Sequence, residues 1–355
     1  MASADGRRVL ITGIAGELAG RLARELEADD RVAYLGGVDL REPRLALSRT
    51  EFIRADLRNP LLSRVIDATR VDTIVHLSLT ATARRVGGRA RMKEHNVLGS
   101  MQLLGAAQKA ASLRKLVMKS TTAVYGSTHA DPALFREESE PTGPRLEGYS
   151  KDALESESCA RALGRRRRDV GVTILRLANV VGPHVDTSLS RYFSLTVVPT
   201  VLGYDPRLQL CHEVDAVEML RRATVEEHPG VYNVAGPGIL YLSQAIRLLG
   251  KPSVPVPLPL FSGASGAVRR AGLVDFSPEQ LSFLLFGCVG DIGRMRARFG
   301  YEPRHSTPEA FADFAAARNT NAMYDTDTAA RAERAARDLL AGWRGVVSSL
   351  LRPRP

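Results

Sequence analysis

Apolar runs and helical segments alternate through the first half of the chain, and this alternation restricts the fold more than any other feature. Runs typical of strands are RRVLITG, RVAYLGGVDL, EFIRADL, VDTIVHLS, LRKLVMKSTTAVYG and GVTILRLANVVGP. After the first run, Leu18, Leu22 and Leu26 recur at helical spacing. Strands that alternate with helices form a parallel sheet covered on both faces. The order therefore predicts an α/β fold with a Rossmann-type, doubly wound parallel sheet.

A glycine-rich turn between the first strand and the first helix predicts a dinucleotide site. In the pattern Gly13-x-x-Gly16-x-x-Ala19, the first glycine permits a tight turn and the second lets the backbone approach a pyrophosphate. The small Ala19 lets the helix pack on the sheet, and the helix N-terminus faces the anion. Asp39, at the end of the second strand, can accept both ribose hydroxyls and repels a 2′-phosphate. We therefore expect NAD rather than NADP, although Arg41 could weaken this preference.

Composition argues against several classes of protein. The net charge is +10, but much of the excess lies in GRRRRD at 164–169 and in the arginine-rich tail after residue 330. Aromatic residues do not interleave these runs, so we expect solvated basic faces and no nucleic-acid partner. No run of apolar residues is long enough for a membrane span, and the first strand begins too early for a signal peptide.

The three cysteines are far apart in the sequence and show no metal-ligand spacing. Cys159, Cys211 and Cys288 fit a reducing compartment, so we expect a cytoplasmic protein without a metal site.

Several further motifs follow in chain order and together resemble a known family. They are LITGIAGELA, ADLRNP, VDTIVHLS, NVLGSMQLLGAA, KSTTAVYG, LRLANVVGP and CHEVDAVEML. Over roughly residues 7–318 the chain is similar to the extended short-chain dehydrogenases/reductases of the NAD-dependent epimerase/dehydratase family, typified by UDP-glucose 4-epimerase. LGRRRRDVGVTILRLAN and LSRYFSLTVVPTVLG resemble an actinobacterial subgroup of epimerase-like proteins.

The resemblance implies roles for particular residues. Besides the glycine-rich turn and Asp39, it implies cofactor contacts at Asp56, Leu57, Leu77, Ser78, Asn96 and Lys151. Asp56 should approach the adenine, and Asn96 is the family's structural asparagine. Thr121 occupies the position of the catalytic serine or threonine. The resemblance also implies a homodimer formed through the two helices that carry Asn96 and Lys151.

The substrate contacts implied by the resemblance are less complete. Asn179 stands where the family contacts a substrate diphosphate or shapes that region. The arginine that members acting on UDP-sugars carry four residues before the family histidine is here Leu208. Arg207 could substitute for it, and Arg191 is another candidate anion contact. A nucleotide sugar is the leading expectation for the substrate.

The stretch EGYSKDALE, residues 147–155, departs from the family pattern. In the family, a tyrosine and a lysine four residues apart share one helix face. The lysine holds the nicotinamide ribose and lowers the pKa of the tyrosine, which exchanges a proton with the substrate hydroxyl during hydride transfer. Here Lys151 aligns with the family lysine, and this alignment puts Glu147 at the tyrosine position. Tyr149 lies about 200° around the helix from Lys151. Taking Tyr149 as the catalytic tyrosine instead puts Ala153 at the lysine position.

Three interpretations follow from this departure. In the first, the carboxyl of Glu147 replaces the tyrosine as acid or base. In the second, Tyr149 reaches the site from an irregular first turn, which Gly148 would permit. In the third, the chemistry is lost and only cofactor binding remains. If Lys151 keeps the family position, Glu147 should point toward the cofactor cleft and Tyr149 should turn away from it.

The expected domain organisation is discontinuous. We expect an NAD-binding Rossmann domain over residues 1–178, with 210–235 returning to it. Residues 179–209 and 236–318 should form a smaller α/β substrate lobe. Residues 319–355 should form a helical tail, in which five apolar residues share one face: Ala336, Leu340, Trp343, Val347 and Leu350.

These observations predict an NAD(P)-dependent epimerase, dehydratase or oxidoreductase that transfers hydride. Its substrate should be a nucleotide sugar or a related hydroxylated small molecule. The alternative is a catalytically impaired sensor or scaffold that binds NAD on the same fold.

Overall fold

The computed structural model describes residues 6–60, 62–140, 146–258 and 278–319. The predicted helical tail lies, beyond Asn319, outside these residues. Within the described ranges, no helix is long and apolar enough to cross a membrane.

A seven-stranded parallel sheet forms the centre of the fold, as the strand and helix alternation predicts. Its strands are β1 (Arg7–Thr12), β2 (Val32–Asp39), β3 (Glu51–Arg54), β4 (Thr73–His76), β5 (Lys115–Thr121), β6 (Gly171–Leu177) and β11 (Gly230–Val234). Their spatial order is β3-β2-β1-β4-β5-β6-β11. The order reverses between β1 and β4, so a crevice opens there at the carboxyl ends of the strands.

Helices cover both faces of this sheet. One face carries α1 (Glu17–Glu27) and α7 (Glu213–Val225), and the other carries α2 (Leu62–Thr69), α4 (Gly99–Lys109) and α5 (Gly148–Arg166). In α1, Leu22 and Leu26 are fully buried, and Leu18 packs against the same cluster. Each leucine buried in this way contributes roughly 1.5–3 kcal/mol. The helical spacing of these leucines is therefore what fixes α1 on the sheet.

The helix that carries Asn96 is irregular. It runs through α3 (Arg89–Lys93), a π-helical turn (Glu94–Leu98) and α4. The Ser100 hydroxyl donates to the Asn96 carbonyl oxygen at 2.5 Å. Its oxygen also lies within hydrogen-bond distance, 2.8 Å, of Nε2 of His76. The π-helical turn widens the helix at Asn96, whose side chain is fully buried.

Three two-stranded sheets lie outside the central sheet. They pair β7 (Asn179–Val181) with β10 (Leu210–His212), β9 (Arg207–Leu208) with β12 (Leu240–Tyr241), and β8 (Val198–Val201) with β13 (Ser253–Val256). The first and third pairs are parallel, and the second is antiparallel. Most of these strands come from the segments predicted as the substrate lobe, whose division from the Rossmann domain stays a prediction.

Short helices complete the part of the chain that the structure describes. They are α6 (Ser188–Phe193), α8 (Leu242–Leu248), α9 (Pro278–Phe286), α10 (Gly293–Phe299) and α11 (Thr307–Asn319). The aromatic rings of Phe193 and Phe311 pack edge to face with their centroids 4.9 Å apart. This apolar cluster joins α6 to α11, so it holds α6 against one end of the crevice.

Candidate functional site

A cavity of about 870 Å³ lies at the carboxyl edge of the central sheet. Its walls come from residues at or after the ends of β1 to β6 and from α5, α6 and α9. This volume lies within the range of ligand sites, and the cavity spans the point at which the strand order reverses. The fold therefore places this cavity where a dinucleotide would bind.

The glycine-rich turn has the backbone geometry that a pyrophosphate site requires. Gly13 has a φ of +76°, and a Cβ added there would lie 2.7 Å from the Cα of Ser78. Any other residue would therefore be strained and would collide with the backbone. Gly16 caps the N-terminus of α1, and both Gly16 and Ala19 line the cavity. The free N–H groups of α1 thus face the cavity without an intervening side chain.

Asp39 ends β2 at the same end of the cavity. Its carboxylate accepts hydrogen bonds from the backbone N–H of Ala15 at 3.2 Å and of Arg41 at 3.1 Å. These two bonds orient the carboxylate beside the glycine-rich turn, where it can accept ribose hydroxyls. Arg41 and Arg44 also line this end of the cavity.

Asp56 does not line the cavity, whereas Arg58 does. The Arg58 guanidinium holds both carboxylate oxygens of Asp56, with the shortest distance 2.7 Å, and it lowers the pKa of that carboxyl. At this point of the cavity wall the structure places the Arg58 guanidinium, and the approach of Asp56 to adenine stays a prediction.

The remaining implied cofactor residues divide into two groups. Leu77 and Ser78 line the cavity, whereas Leu57, Asn96 and Lys151 do not. Asn96 instead holds a residue of the cavity wall in place. Its side chain accepts a hydrogen bond from the Thr80 N–H and donates one to the Thr80 carbonyl, both at 2.9 Å. Thr80 itself lines the cavity.

The start of α5 reverses the orientation expected for its first residues. Glu147 is extended and exposed just before the helix, and Gly148 adopts a left-handed φ of +58°. Tyr149 then lines the cavity, whereas Lys151 is exposed outside it. Tyr149 and Lys151 do lie on opposite sides of α5, as helical geometry requires, but the expectation that Glu147 faces the cleft is wrong.

Packing along α5 explains this reversal. The inward side of the helix continues from Tyr149 through Ala153 and Glu157, at intervals of four residues. Glu157 is fully buried and accepts from the Arg176 guanidinium at 3.0 and 2.7 Å and from the Ser120 hydroxyl at 2.6 Å. Turning Lys151 inward would remove Glu157 from these partners, and a buried charge without its partner is strongly unfavourable.

Thr121 lies at the end of β5 and lines the same cavity as Tyr149. Its hydroxyl oxygen accepts the Ala123 N–H at 3.2 Å, and this bond fixes the side chain. Burial, followed by the negative charges of Asp152 and Glu157, raises the pKa of Tyr149. The phenol is therefore protonated at neutral pH unless a positive charge comes near it.

One cavity residue was missed from the sequence. Lys119 lines the cavity, and its Nζ donates to the Leu79 carbonyl at 3.4 Å. It lies two residues before Thr121 on β5, so strand alternation places both side chains on one face of the sheet. That spacing was a signal available in the motif KSTTAVYG.

The substrate contacts implied by the resemblance are only partly brought together. Asn179 lines the cavity, but Arg191 and Arg207 do not. The Arg191 guanidinium bonds to Asp186 at 2.9 Å and to the Thr82 hydroxyl at 3.2 Å. Asp186 and Thr82 both line the cavity, so Arg191 supports the cavity wall from behind these two residues.

A model of the NAD dependent epimerase/dehydratase family matches residues 9–235. The chain belongs to this family. The match spans most of the central sheet, the glycine-rich turn and α5, so it includes most of the residues that line the cavity.

Relatives and solved structures agree with this assignment. The uncharacterized protein Rv0501 of Mycobacterium tuberculosis is 45% identical over 323 residues, which cover 89% of this chain and 85% of that protein. UDP-glucuronic acid decarboxylase 5 of Arabidopsis thaliana is 25% identical over 272 residues, 71% of this chain and 77% of that protein.

Two solved structures illustrate the shared fold. UDP-glucose 4-epimerase of Thermotoga maritima with UDP-glucose matches with a TM-score of 0.69 and 18% identity, over 88% of this chain and 99% of that one. dTDP-glucose 4,6-dehydratase of Streptomyces venezuelae with NAD and TYD matches with a TM-score of 0.67 and 22% identity, over 90% and 99%.

As a family member, the chain combines a tyrosine on α5 with an alanine one turn later. Ala153 is fully buried behind Tyr149. The cavity is thus lined by a phenol, a threonine hydroxyl and part of the glycine-rich turn, and the lysine that lines it, Lys119, lies on β5.

Proposed function

We propose that this protein is an NAD-dependent epimerase, dehydratase or oxidoreductase that transfers hydride to or from a hydroxyl-bearing carbon of its substrate. The observation that carries the proposal is that Tyr149 and Thr121 line one cavity with Gly16 and Asp39. This arrangement brings a proton-exchanging phenol to the cavity that contains the dinucleotide turn.

The described residues fit a dinucleotide. The backbone of the glycine-rich turn and the N-terminus of α1 would hold the pyrophosphate, since side chains are absent at Gly13 and Gly16. Asp39 would accept the ribose hydroxyls, and this favours NAD over NADP. A bound nicotinamide supplies the hydride acceptor or donor. The solved relatives that contain NAD support the same cofactor.

Tyr149 exchanges the proton in the proposed reaction. Its phenolate takes the proton of the substrate hydroxyl when that carbon is oxidised, and the phenol formed in this way returns the proton when the carbon is reduced. Thr121 orients the same substrate oxygen through its hydroxyl, which its bond to the Ala123 N–H holds in place. Leu284, Tyr192 and Phe283 also line the cavity, and their apolar surfaces would help to exclude water from a bound substrate.

The proposed substrate is a nucleotide sugar or a related hydroxylated small molecule. Asn179, His184, Thr187 and Ser188 offer polar groups at the substrate end of the cavity. The names of the relatives support the nucleotide-sugar class, since they act on or bind UDP- and dTDP-sugars.

A catalytically impaired NAD-binding sensor or scaffold is the second candidate. The raised pKa of Tyr149 and the alanine at position 153 favour it, because a phenol that holds its proton firmly seldom supplies the phenolate that acts as a base. A sensor would bind NADH without transferring hydride.

Single-turnover reduction distinguishes the two candidates. The protein would be mixed with excess NAD⁺ and a panel of UDP- and dTDP-sugars, and the absorbance of bound NADH would be followed at about 340 nm. We expect at least one sugar to reduce the bound NAD⁺. Tyr149→Phe should abolish this reduction, whereas Lys151→Ala should retain it, because Lys151 is exposed outside the cavity. NADH binding with no reduction by any panel member would favour the sensor.

We also propose a homodimer formed through α4 and α5. Leu98 and Met101 support this arrangement, because each leaves about half of its side chain exposed at the outer side of the α4 region: 48% for Leu98 and 51% for Met101. Sedimentation of Met101→Glu should show monomers where the unmodified protein shows dimers.

The free thiols support the proposal that the protein works in the reducing cytoplasm. Cys211 and Cys288 are buried without a disulfide, and Cys159 is half-buried.

A further inference from the structure

We propose that the C-terminal segment of this chain, residues 320–355, docks on the outer side of α8, around Tyr241 and Leu248. The sequence predicts one apolar helical face in this segment, which we call the tail row. The tail row consists of Ala336, Leu340, Trp343, Val347 and Leu350. The docking surface lies outside the cavity, so this inference goes beyond the proposed reaction and does not depend on it.

The outer side of α8 carries exposed apolar side chains. Leu248, the last residue of α8, is 51% exposed, and Tyr241, just before the helix, is 39% exposed. Because they are seven residues apart, the two side chains lie on the same side of the helix. Gln244 and Arg247 are also exposed on this side, and their aliphatic stems can extend the apolar surface. An amphipathic helix laid along α8 would cover this surface.

The inner side of α8 is already packed. It contributes to the apolar cluster that joins α6 to α11 and contains Phe193 and Phe311. The residues of α8 and its C-cap in this cluster are Leu242, Ala245, Ile246 and Leu249. A docked tail would therefore form an outer layer that holds α8 against the cluster behind α6.

The point at which the chain leaves the described residues favours its own tail as the occupant. The helix α11, which ends at Asn319, packs against α8. Lys251 follows the last residue of α8 by three positions, and its pKa is lowered by burial and then by the charge of Arg318. The C-terminal end of α11 thus lies beside the C-terminal end of α8, which carries Leu248.

The length of chain beyond Asn319 is sufficient for this contact. The 17 residues from Asn319 to Ala336 can span about 55 Å when fully extended. A tether of this kind places the tail row near α8 at an effective concentration of about a millimolar. A second copy of the chain or a lipid surface would have to compete with this local concentration, so the contact within one chain is favoured.

The test uses Trp343, which is the single tryptophan of the chain and belongs to the tail row. Acrylamide quenching of its fluorescence would be measured in the full chain, in buffer and in urea. Leu248→Glu places a carboxylate on the proposed surface. Leu134→Glu is the matched control, since Leu134 is 46% exposed in the loop that pairs with Gly290.

Reciprocal variants change the tail itself. Leu340→Glu alters the tail row, whereas Ser349→Glu alters the opposite side of the predicted helix and serves as its control. Circular dichroism would confirm that each variant is folded. Hydrogen exchange of the amides of residues 242–250 would report on α8 in the same samples.

We expect Trp343 to be quenched about threefold less in buffer than in urea, because a docked indole is shielded from solvent. Leu248→Glu and Leu340→Glu should each raise the quenching constant in buffer at least about twofold, because docking would then bury an ionised carboxylate. Leu340→Glu should also speed the exchange of the α8 amides. Leu134→Glu and Ser349→Glu should match the unmodified protein in both measurements.

Several results would overturn the proposal. Quenching of Trp343 in buffer as strong as in urea would show that the tail row is not docked. Protection that Leu248→Glu leaves unchanged would place the tail on another surface. Protection lost on dilution would assign the tail row to contact with a second copy of the chain. Protection that appears only with vesicles of phosphatidylglycerol would assign it to a lipid surface.

Discussion

Glu157 and Arg176 form a buried ion pair, with Oε2 of Glu157 2.7 Å from Nη2 of Arg176. The glutamate lies on α5 and the arginine on β6, so the pair fixes the rotation of α5 about its axis. Tyr149 lies eight residues before Glu157 on the same side of the helix. The pair therefore determines, from two turns away, which residue of EGYSKDALE faces the cavity.

Breaking this pair should destabilise the fold strongly. Glu157→Gln removes the charge opposite a buried guanidinium, and we expect it to lower the free energy of unfolding by about 3–5 kcal/mol. Urea denaturation would measure the change. Glu155→Gln, a half-buried carboxylate on the same helix, is the matched control and should cost under about 1 kcal/mol. Equal effects of the two variants would contradict the role of the pair.

Gly13 should tolerate no side chain. Its φ of +76° and the 2.7 Å approach of an added Cβ to Ser78 predict that Gly13→Ala loses NADH binding and some stability. NADH fluorescence titration measures the first effect and thermal unfolding the second. Gly105→Ala on α4 is the control, since nothing lies within 4 Å of a Cβ added there. Gly105→Ala should preserve NADH binding and raise the free energy of unfolding by up to about 1 kcal/mol.

Asp39 should set the cofactor preference. The carboxylate, oriented by Ala15 and Arg41, is expected to favour NAD by bonding the ribose hydroxyls. Calorimetry of Asp39→Ala should show about tenfold weaker NAD⁺ binding and a smaller preference over NADP⁺. Glu42→Gln removes a nearby exposed carboxylate and should leave both affinities unchanged. Equal affinity of the unmodified protein for NAD⁺ and NADP⁺ would contradict the role of Asp39 in cofactor preference.

Acid should destabilise the protein partly through His76. Burial, with smaller contributions from His95 and Lys119, lowers the pKa of His76 to about 3. Below the unfolded pKa of about 6.5, only the unfolded chain takes up this proton, so stability falls as the pH drops from there toward about 3. In His76→Gln, the free energy of unfolding measured by urea denaturation should therefore depend less on pH over that window. His129→Gln, at an exposed site, should leave the slope as it is.

The local patterns of the sequence determined the parallel sheet, α1 and the glycine-rich turn. Each of these depends on neighbouring residues: apolar runs for the strands, the spacing of Leu18, Leu22 and Leu26 for α1, and a glycine where the backbone must turn tightly. The end of the second strand pointed to Asp39, the family motifs added Thr121 and Asn179, and all three line the cavity.

Only the tertiary structure decided which residue of α5 enters the site. Aligning Lys151 with the family lysine pointed Glu147 inward, whereas the left-handed Gly148 and the pair of Glu157 with Arg176 turn Tyr149 inward instead. Which side of a helix faces inward depends on where the helix begins and on the contacts of the residues further along it. Here the deciding partner, Arg176, lies 19 residues from Glu157 in the sequence, so the local pattern does not reveal it. Lys119 entered the site for the same reason, because the cavity joins the ends of strands that are distant along the chain.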